Sequence, residues 1–397
     1  TPDPARPPGW IPGHGPPTIL PPVPEPRPKP HRLLVVMPSW VGDAVMATPA
    51  LRLLRELLPG ALIGALARPG IDALLAGSEF FDELHTGRAV GVMGPKRLAA
   101  KLRPRRYDTA LLLTNSFSTA LITRLAGVPN RIGYERDGRG MLLTDPIEPL
   151  RRRDLEPFKR SPLDPAAWAP VPACDYYFRL AAHLLKRCGI DPGEPGPLEL
   201  PINPDEEIEA AELLERAGID REDQRTTPIA MLNPGANNDA KRWPPDRFAA
   251  LADYLAAHHG MTVLINAGPS EHGLADVVAS LCRDETDVID LPKAAGRRGM
   301  TLGLLKGVLR KCRLLVTNDT GPRHIAAALG VPVVTLFGPT DHRWTTIPFQ
   351  DELRLLADPT LPPEEVANDH PQRCRIDRIG LGDVVAAANT LLTNATA

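Results

Sequence analysis

Arg313-Leu314-Leu315-Val316-Thr317-Asn318-Asp319-Thr320-Gly321-Pro322-Arg323-His324-Ile325-Ala326-Ala327-Ala328-Leu329-Gly330 is the stretch that decides the fold class of this chain. Leu314–Val316 is an apolar run of strand length. Ile325–Leu329 reads as a small-residue helix closed by glycine. The polar turn between them is of the kind that aims free backbone N–H groups and the positive end of a helix at a phosphate. Immediately downstream, Val331-Pro332-Val333-Val334-Thr335-Leu336-Phe337-Gly338-Pro339-Thr340 reads as a second buried strand that ends in a turn. Two neighbouring strands with polar turns at their carboxyl ends form a ligand crevice in an open α/β sheet. This much specifies a nucleotide or phosphate binder without saying which.

Outward from that stretch the chain alternates strand and helix. Leu33–Met37, Ala61–Ala65 and Thr109–Leu113 read as strands, with helices at Ala44–Leu58, Pro95–Leu102 and Ser118–Leu125. Leu150–Ala173 is rich in Pro and Arg and interrupts the alternation. Tyr176–Cys188 then reads as a helix, and Asp191–Pro204 carries five prolines, as an inter-domain linker would. A second set follows, with strands at Ile229–Leu232, Thr262–Ile265, Val288–Ile289, Leu314–Val316 and Val333–Phe337. Its helices fall at Asp246–His258, Glu271–Cys282, Thr301–Leu309 and His324–Leu329. Two βαβ arrays across a proline-rich hinge predict an α/β protein of two doubly wound, Rossmann-like domains facing a cleft. The expected boundaries are 31–195 and 196–397, with the closing helix Asp383–Leu392 assignable to either domain.

Composition narrows the function. The 397 residues allow two full cores, and the formal net charge of −2 offers no global field for nucleic acid. The five cysteines are dispersed, with no CxxC pair, which suits a reducing compartment and neither a disulfide framework nor a metal site. No apolar run reaches the about 20 residues a membrane helix needs, and no basic region followed by an apolar core opens the sequence. The expectation is a cytoplasmic protein. Residues 1–30 hold 13 of the 46 prolines and few side chains able to pack, so a disordered tail is expected there.

Four polar turns follow strands. In Met37-Pro38-Ser39-Trp40-Val41-Gly42-Asp43, Gly42 permits a tight turn, and Asp43 stands where either a helix cap or a cleft-facing proton acceptor would stand. Asn233-Pro234-Gly235-Ala236-Asn237-Asn238-Asp239-Ala240-Lys241-Arg242-Trp243-Pro244 is expected to leave the Gly235 and Ala236 amides bare beside the Lys241 charge, or to be an ordinary solvated loop. It lacks the Gly-Lys-Ser/Thr of a P-loop, which argues against ATP hydrolysis of that kind. In the third turn, Asp319 is read as capping the helix or orienting a neighbour, and His324 as a packing or hydrogen-bonding residue. The fourth, Thr114-Asn115-Ser116-Phe117-Ser118, suits sugar recognition and equally well a helix cap.

Together these strings, with Thr-Asn-Asp-Thr-Gly-x-x-His and Leu-Phe-Gly-Pro-Thr, resemble glycosyltransferase family 9 over about residues 31–395. The resemblance implies a GT-B fold with acceptor contacts mainly in the first domain and donor contacts in the second. It implies inverting transfer of heptose from ADP-L-glycero-D-manno-heptose to the inner-core heptose of lipopolysaccharide, with no metal and no cofactor. The family's catalytic base falls on Asp43, its phosphate lysine on Lys241, and its amide cradle on Asp319, Thr320 and Gly321. The donor side is then expected to comprise Asn237, Lys241, Asn318, Asp319, Thr320, Gly321 and His324. The acceptor side is expected to comprise Ser39, Trp40, Asn115 and Ser116. The implied partners are a nucleotide sugar and a lipid-anchored oligosaccharide, met at the cytoplasmic face of the inner membrane, with no nucleic acid. The Pro- and Arg-rich segment Arg151–Ala173 departs from the family pattern. Its basic residues could face anionic sugars or headgroups, or simply form a solvated loop. Another sugar or glycan acceptor, and a silent nucleotide-sugar binder, are the competing readings. A carboxylate at position 43 argues against the silent binder.

Overall fold

The computed structural model describes residues 27–160, 166–220 and 222–394. The expected tail therefore lies, as far as residue 26, outside the described residues. Within them the chain forms two six-stranded sheets. The first contains β1 (Arg32–Val36), β2 (Leu62–Ala67), β3 (Glu83–Thr86), β4 (Thr109–Leu112), β5 (Asn130–Tyr134) and β6 (Asp145–Ile147). The second contains β7 (Ile229–Asn233), β8 (Thr262–Ile265), β9 (Val288–Asp290), β10 (Leu314–Asn318), β11 (Val333–Phe337) and β12 (Glu352–Leu356). The orders are β3-β2-β1-β4-β5-β6 and β12-β11-β10-β7-β8-β9, and every pairing between named strands is parallel. Counted within each half, both sheets share one doubly wound order, with the strand order reversing between β1 and β4 and between β7 and β10. Such reversals are where ligands sit in this architecture.

The central strands are apolar because helices cover both faces of a parallel sheet. Leu33, Leu34 and Val35 are fully buried, as are Leu314, Leu315 and Val316. The register places Val35 beside Leu111 and Thr317 beside Asn233, so the turns that follow β1 and β4, and β7 and β10, emerge side by side.

Three expectations change. The predicted helix Ala44–Leu58 is two helices, Val41–Met46 and Thr48–Leu57, broken at Ala47 ahead of Pro49. Short or polar strands escaped the apolar pattern, namely β3, β5, β6 and β12. The closing helix, Leu381–Asn394, packs on Pro245–His259 and on β10, β11 and β12, and so belongs to the second sheet.

The two halves meet through helices. Val41–Met46 packs against Gly321–Ala328, and Ile71–Leu74 packs against Leu302–Leu309. One continuous apolar cluster runs from Leu33 and Leu51 through Leu213 and Leu305 to Ile325. The Pro- and Arg-rich segment, read as a solvated loop or as a surface for anionic sugars or headgroups, contributes described residues to this junction. Arg152 is buried and pairs with Asp369 at 2.8 Å, and the Arg343 guanidinium lies over the Phe158 ring at 4.7 Å. Arg151 and Arg136 flank the Trp168 ring at 4.3 and 4.5 Å. Arg151 and Arg152 thus have protein partners because aromatic rings and a carboxylate lie within reach.

Candidate functional site

The turn after β1 leads into Val41–Met46, whose N-cap is Trp40 and not Asp43. Asp43 stands in the first helical turn, and its carboxylate accepts a hydrogen bond at 2.7 Å from the Tyr177 hydroxyl. Tyr177 is buried in the helix Ala173–Arg187, which covers the first sheet. Burial raises the Asp43 pKa above the ordinary carboxylate range. The Tyr177 hydroxyl opposes that shift, and the negative charge of Asp319 adds to it. A carboxylate destabilised in this way is a stronger proton acceptor than a solvated one.

The Asp319 charge acts on Asp43 because the two halves interlock at this junction. A Cβ built on Gly42 would lie 2.6 Å from the Cδ2 of His324, and one on Gly321 would lie 3.1 Å from the Cβ of Val41. The absent side chains at Gly42 and Gly321 are what allow this approach. His324 is buried, its Nδ1 has no hydrogen-bond partner, and burial followed by the Arg323 charge lowers its pKa to about 3. Its ring packs at Gly42 of the opposite half.

The turn after β10 is anchored from below. Arg323 is fully buried and forms a forked pair with Glu352 at 2.6 and 3.1 Å, and it reaches Asp319 at 3.1 Å. Thr345 donates to the same Asp319 oxygen at 3.2 Å, and Lys241 Nζ meets the other at 3.2 Å. Burial opposes ionisation of Asp319, but Arg323 and then Lys241 hold its pKa below the ordinary range. Asp319 is therefore an orienting residue. The cap position belongs to Thr320, and the Asp319 amide donates to Leu336 in the strand ladder, which removes it from the expected amide cradle. The Thr320 and Gly321 N–H groups have no partner among the described residues, at the positive end of Gly321–Ala328.

Two more donor-side expectations need correcting. Asn318 is fully buried; its amide donates to the Pro234 and Gly235 carbonyls and accepts from the Trp243 N–H, so it holds the loop after β7. The Ala236 amide is not bare, since it donates to Glu271 at 2.9 Å, and Glu271 also receives Arg242 at 2.9 Å. A Cβ on Gly235 would strike the same carboxylate, at 2.4 Å. Asn237 is exposed at the tip of this loop, and Lys241 at its far end is the residue that turns back toward Asp319.

On the first sheet, Ser39 is half-buried and Trp40 is 65% exposed. Asn115 accepts from Arg139 at 3.2 Å and from the Tyr176 hydroxyl at 3.1 Å. Ser116 is the N-cap of Phe117–Leu125 and accepts from the Thr119 N–H, the capping reading of that turn. Beside Tyr176 a narrow crevice is lined by Arg136, Arg179, Trp168 and Trp344.

Tyr177 and Glu271 were missed from the sequence. Tyr177 left a trace, a tyrosine whose hydroxyl had to find a partner inside a covered helix. Glu271 left none, because its target is a backbone amide 35 positions away. Among the described residues no group of three His, Cys, Asp or Glu side chains is arranged to hold a metal ion, and no helix is long and apolar enough to cross a membrane.

Comparison with known proteins follows the same lines. The family described as glycosyltransferase family 9 (heptosyltransferase) matches residues 96–366. Lipopolysaccharide heptosyltransferase 2 of Escherichia coli strain K12 is 30% identical over 331 residues, covering 82% of this chain and 87% of that protein. The structure of E. coli ADP-heptose LPS heptosyltransferase II gives a TM-score of 0.70 at 26% identity, over 92% of this chain and 100% of that one. A family 9 glycosyl transferase from Veillonella parvula DSM 2008 gives 0.71 at 22% identity, over 92% and 97% respectively, a likeness of fold.

Proposed function

This chain belongs to glycosyltransferase family 9, and on that footing we propose that it transfers heptose from ADP-L-glycero-D-manno-heptose to an inner-core heptose of lipopolysaccharide. The observation that supports the mechanism is that the helix bearing Asp43 packs against the helix opening at Thr320, whose preceding Asp319 holds Lys241. Asp43 removes the proton from the acceptor hydroxyl. The resulting oxygen attacks the anomeric carbon from the face opposite ADP, and the bond from that carbon to the diphosphate oxygen breaks with inversion. Negative charge then grows on the diphosphate. Lys241 and the N–H groups of Thr320 and Gly321 stabilise it as fixed positive groups that need no reorganisation during reaction. Asp319 positions Lys241, and Arg323 with Glu352 keeps Asp319 in place. Packing of the two halves around the site excludes the water that would otherwise consume the donor.

The acceptor enters along the first sheet past Ser39, Trp40 and Asn115. Because that acceptor is lipid-anchored, the enzyme works as a peripheral protein at the cytoplasmic face of the inner membrane. The test is transfer to defined core oligosaccharides, with products read by mass. Asp43→Asn is expected to lower kcat about 10²–10⁴-fold while leaving ADP affinity, by calorimetry, close to that of the unaltered protein. Full turnover by this variant would remove Asp43 from the mechanism.

A further inference from the structure

The loop after β3 and the helix that follows it combine exposed apolar side chains with unopposed positive charge. Val90 is 68% exposed, Val92 97% and Met93 50%. From Gly87 to Tyr107 the sequence carries seven basic residues and no acidic one. Arg88, Lys96, Arg97 and Lys101 are exposed and make no ion pair among the described residues. Single exposed apolar residues need no explanation, but three within four positions at the tip of a basic segment do.

The parallel sheet gathers more such residues on the same rim. All six of its strands run one way, so the loops after β1, β3, β4 and β5 leave by one edge. Those loops carry, besides Val90–Met93, Trp40 at 65% exposure, Phe117 at 45% and Met141 at 78%. The surface is continuous: Gly94–Leu102 packs on Phe117–Leu125, which touches the Gly140–Leu142 turn, and Arg124 donates to the Met141 carbonyl. Apolar tips set among Lys and Arg are the composition that lodges at a bilayer interface, side chains among the headgroups and cations against anionic lipid. A second copy of this face is a poor occupant, because a two-fold contact would set like charge against like.

We propose that this rim, centred on Val90–Met93 with Lys96, Arg97 and Lys101, docks the enzyme on an anionic lipid surface. The proposal rests on the reading that the acceptor is lipid-anchored, and it places the mouth of the acceptor side at the membrane. Asn115 and Asp43 follow β4 and β1 on the same edge, so a sugar chain rising from the bilayer meets them without the protein leaving the surface.

The full chain is to be sedimented with equimolar phosphatidylglycerol–phosphatidylethanolamine vesicles and, separately, with phosphatidylcholine vesicles. Binding is expected to the anionic vesicles only, and to be released in about 1 M salt, where the screening length falls to about 3 Å. Val92→Ser/Met93→Ser and Lys96→Glu/Arg97→Glu should each weaken partition by about tenfold or more. Both variants should transfer to a delipidated, water-soluble acceptor at the unaltered rate and show a raised KM only for acceptor presented in vesicles. Equal binding by the unaltered protein and both variants, or no binding at all, overturns the proposal. So does a concentration-dependent dimer that both variants abolish. Vesicle binding lost in the variants of a protein that transfers no heptose would leave the surface standing and remove only the assigned reaction.

Discussion

Replacing Tyr177 by Phe tests the site through its proton acceptor without touching the acceptor itself. The phenol donates a 2.7 Å hydrogen bond to Asp43 and is itself buried, so the variant keeps the ring packing and removes one donor. Two influences already raise the Asp43 pKa, burial first and the Asp319 charge second, and the Tyr177 hydroxyl acts against them. A hydrogen bond to a charged group contributes about 1.5–3 kcal/mol. At about 1.4 kcal/mol per factor of ten, its loss lowers the ionised fraction of Asp43 roughly ten- to hundredfold on the acid side of its midpoint. The sign is definite. A base must be ionised to act, so the acid limb of kcat/KM moves to higher pH in Tyr177→Phe, while the rate on the alkaline plateau is largely retained. The assay is kcat/KM for heptose transfer across pH, with ADP affinity measured alongside. An acid limb that stays in place or moves to lower pH would refute the assignment of Asp43 as base, of Tyr177 as its partner, or of both.

Lys241→Ala removes the cation that Asp319 holds at 3.2 Å, and a loss of about 1.5–3 kcal/mol of transition-state stabilisation should appear as roughly a ten- to hundredfold fall in kcat/KM, with weaker ADP binding by calorimetry. Gly42→Ala places a carbon 2.6 Å from the His324 ring and should cost about 1–3 kcal/mol, read as a lower Tm and lower kcat. Adding His324→Ala should restore part of both, and strictly additive losses would show that the two residues do not meet. Arg323→Met strands the buried carboxylates of Asp319 and Glu352, and urea denaturation at neutral pH should register a loss of about 3–5 kcal/mol. Both carboxylates have pKa values held below the ordinary range, by Arg323 against the effect of burial. The stability they contribute in the unaltered protein is therefore complete above the unfolded carboxylate pKa of about 4. It is lost as pH falls through the folded values, and Arg323→Met should show little of that acid dependence.

Much of the architecture was legible in the sequence because a strand buried on both faces has one affordable composition. Leu314–Val316, Val333–Phe337 and Leu33–Val36 announce themselves, and the polar turns after them mark the carboxyl edge where a parallel sheet receives ligands. Asp43 and Thr320 stand in two of those turns, and Lys241 in the corresponding turn after Ile229–Asn233. The strands that went unread, such as Glu83–Thr86 and Glu352–Leu356, lie at sheet edges and carry polar residues that one-dimensional patterning assigns to loops.

What tertiary structure alone decided is who meets whom across long sequence separations. Asn318 looks like a ligand residue on a turn, yet its amide closes the loop at Pro234 and Gly235. Glu271 takes an amide that local reasoning leaves free, and Arg152, within a basic run, is buried against Asp369. Asp43 carries a raised pKa because packing buries it and brings the Asp319 charge near, against the hydrogen bond it accepts from Tyr177. Backbone periodicity is written locally, in spacings of two or about four residues, and a single sequence therefore discloses it. Burial and hydrogen-bond partnership depend on which surfaces close against one another, and those quantities come into existence only when the two halves pack.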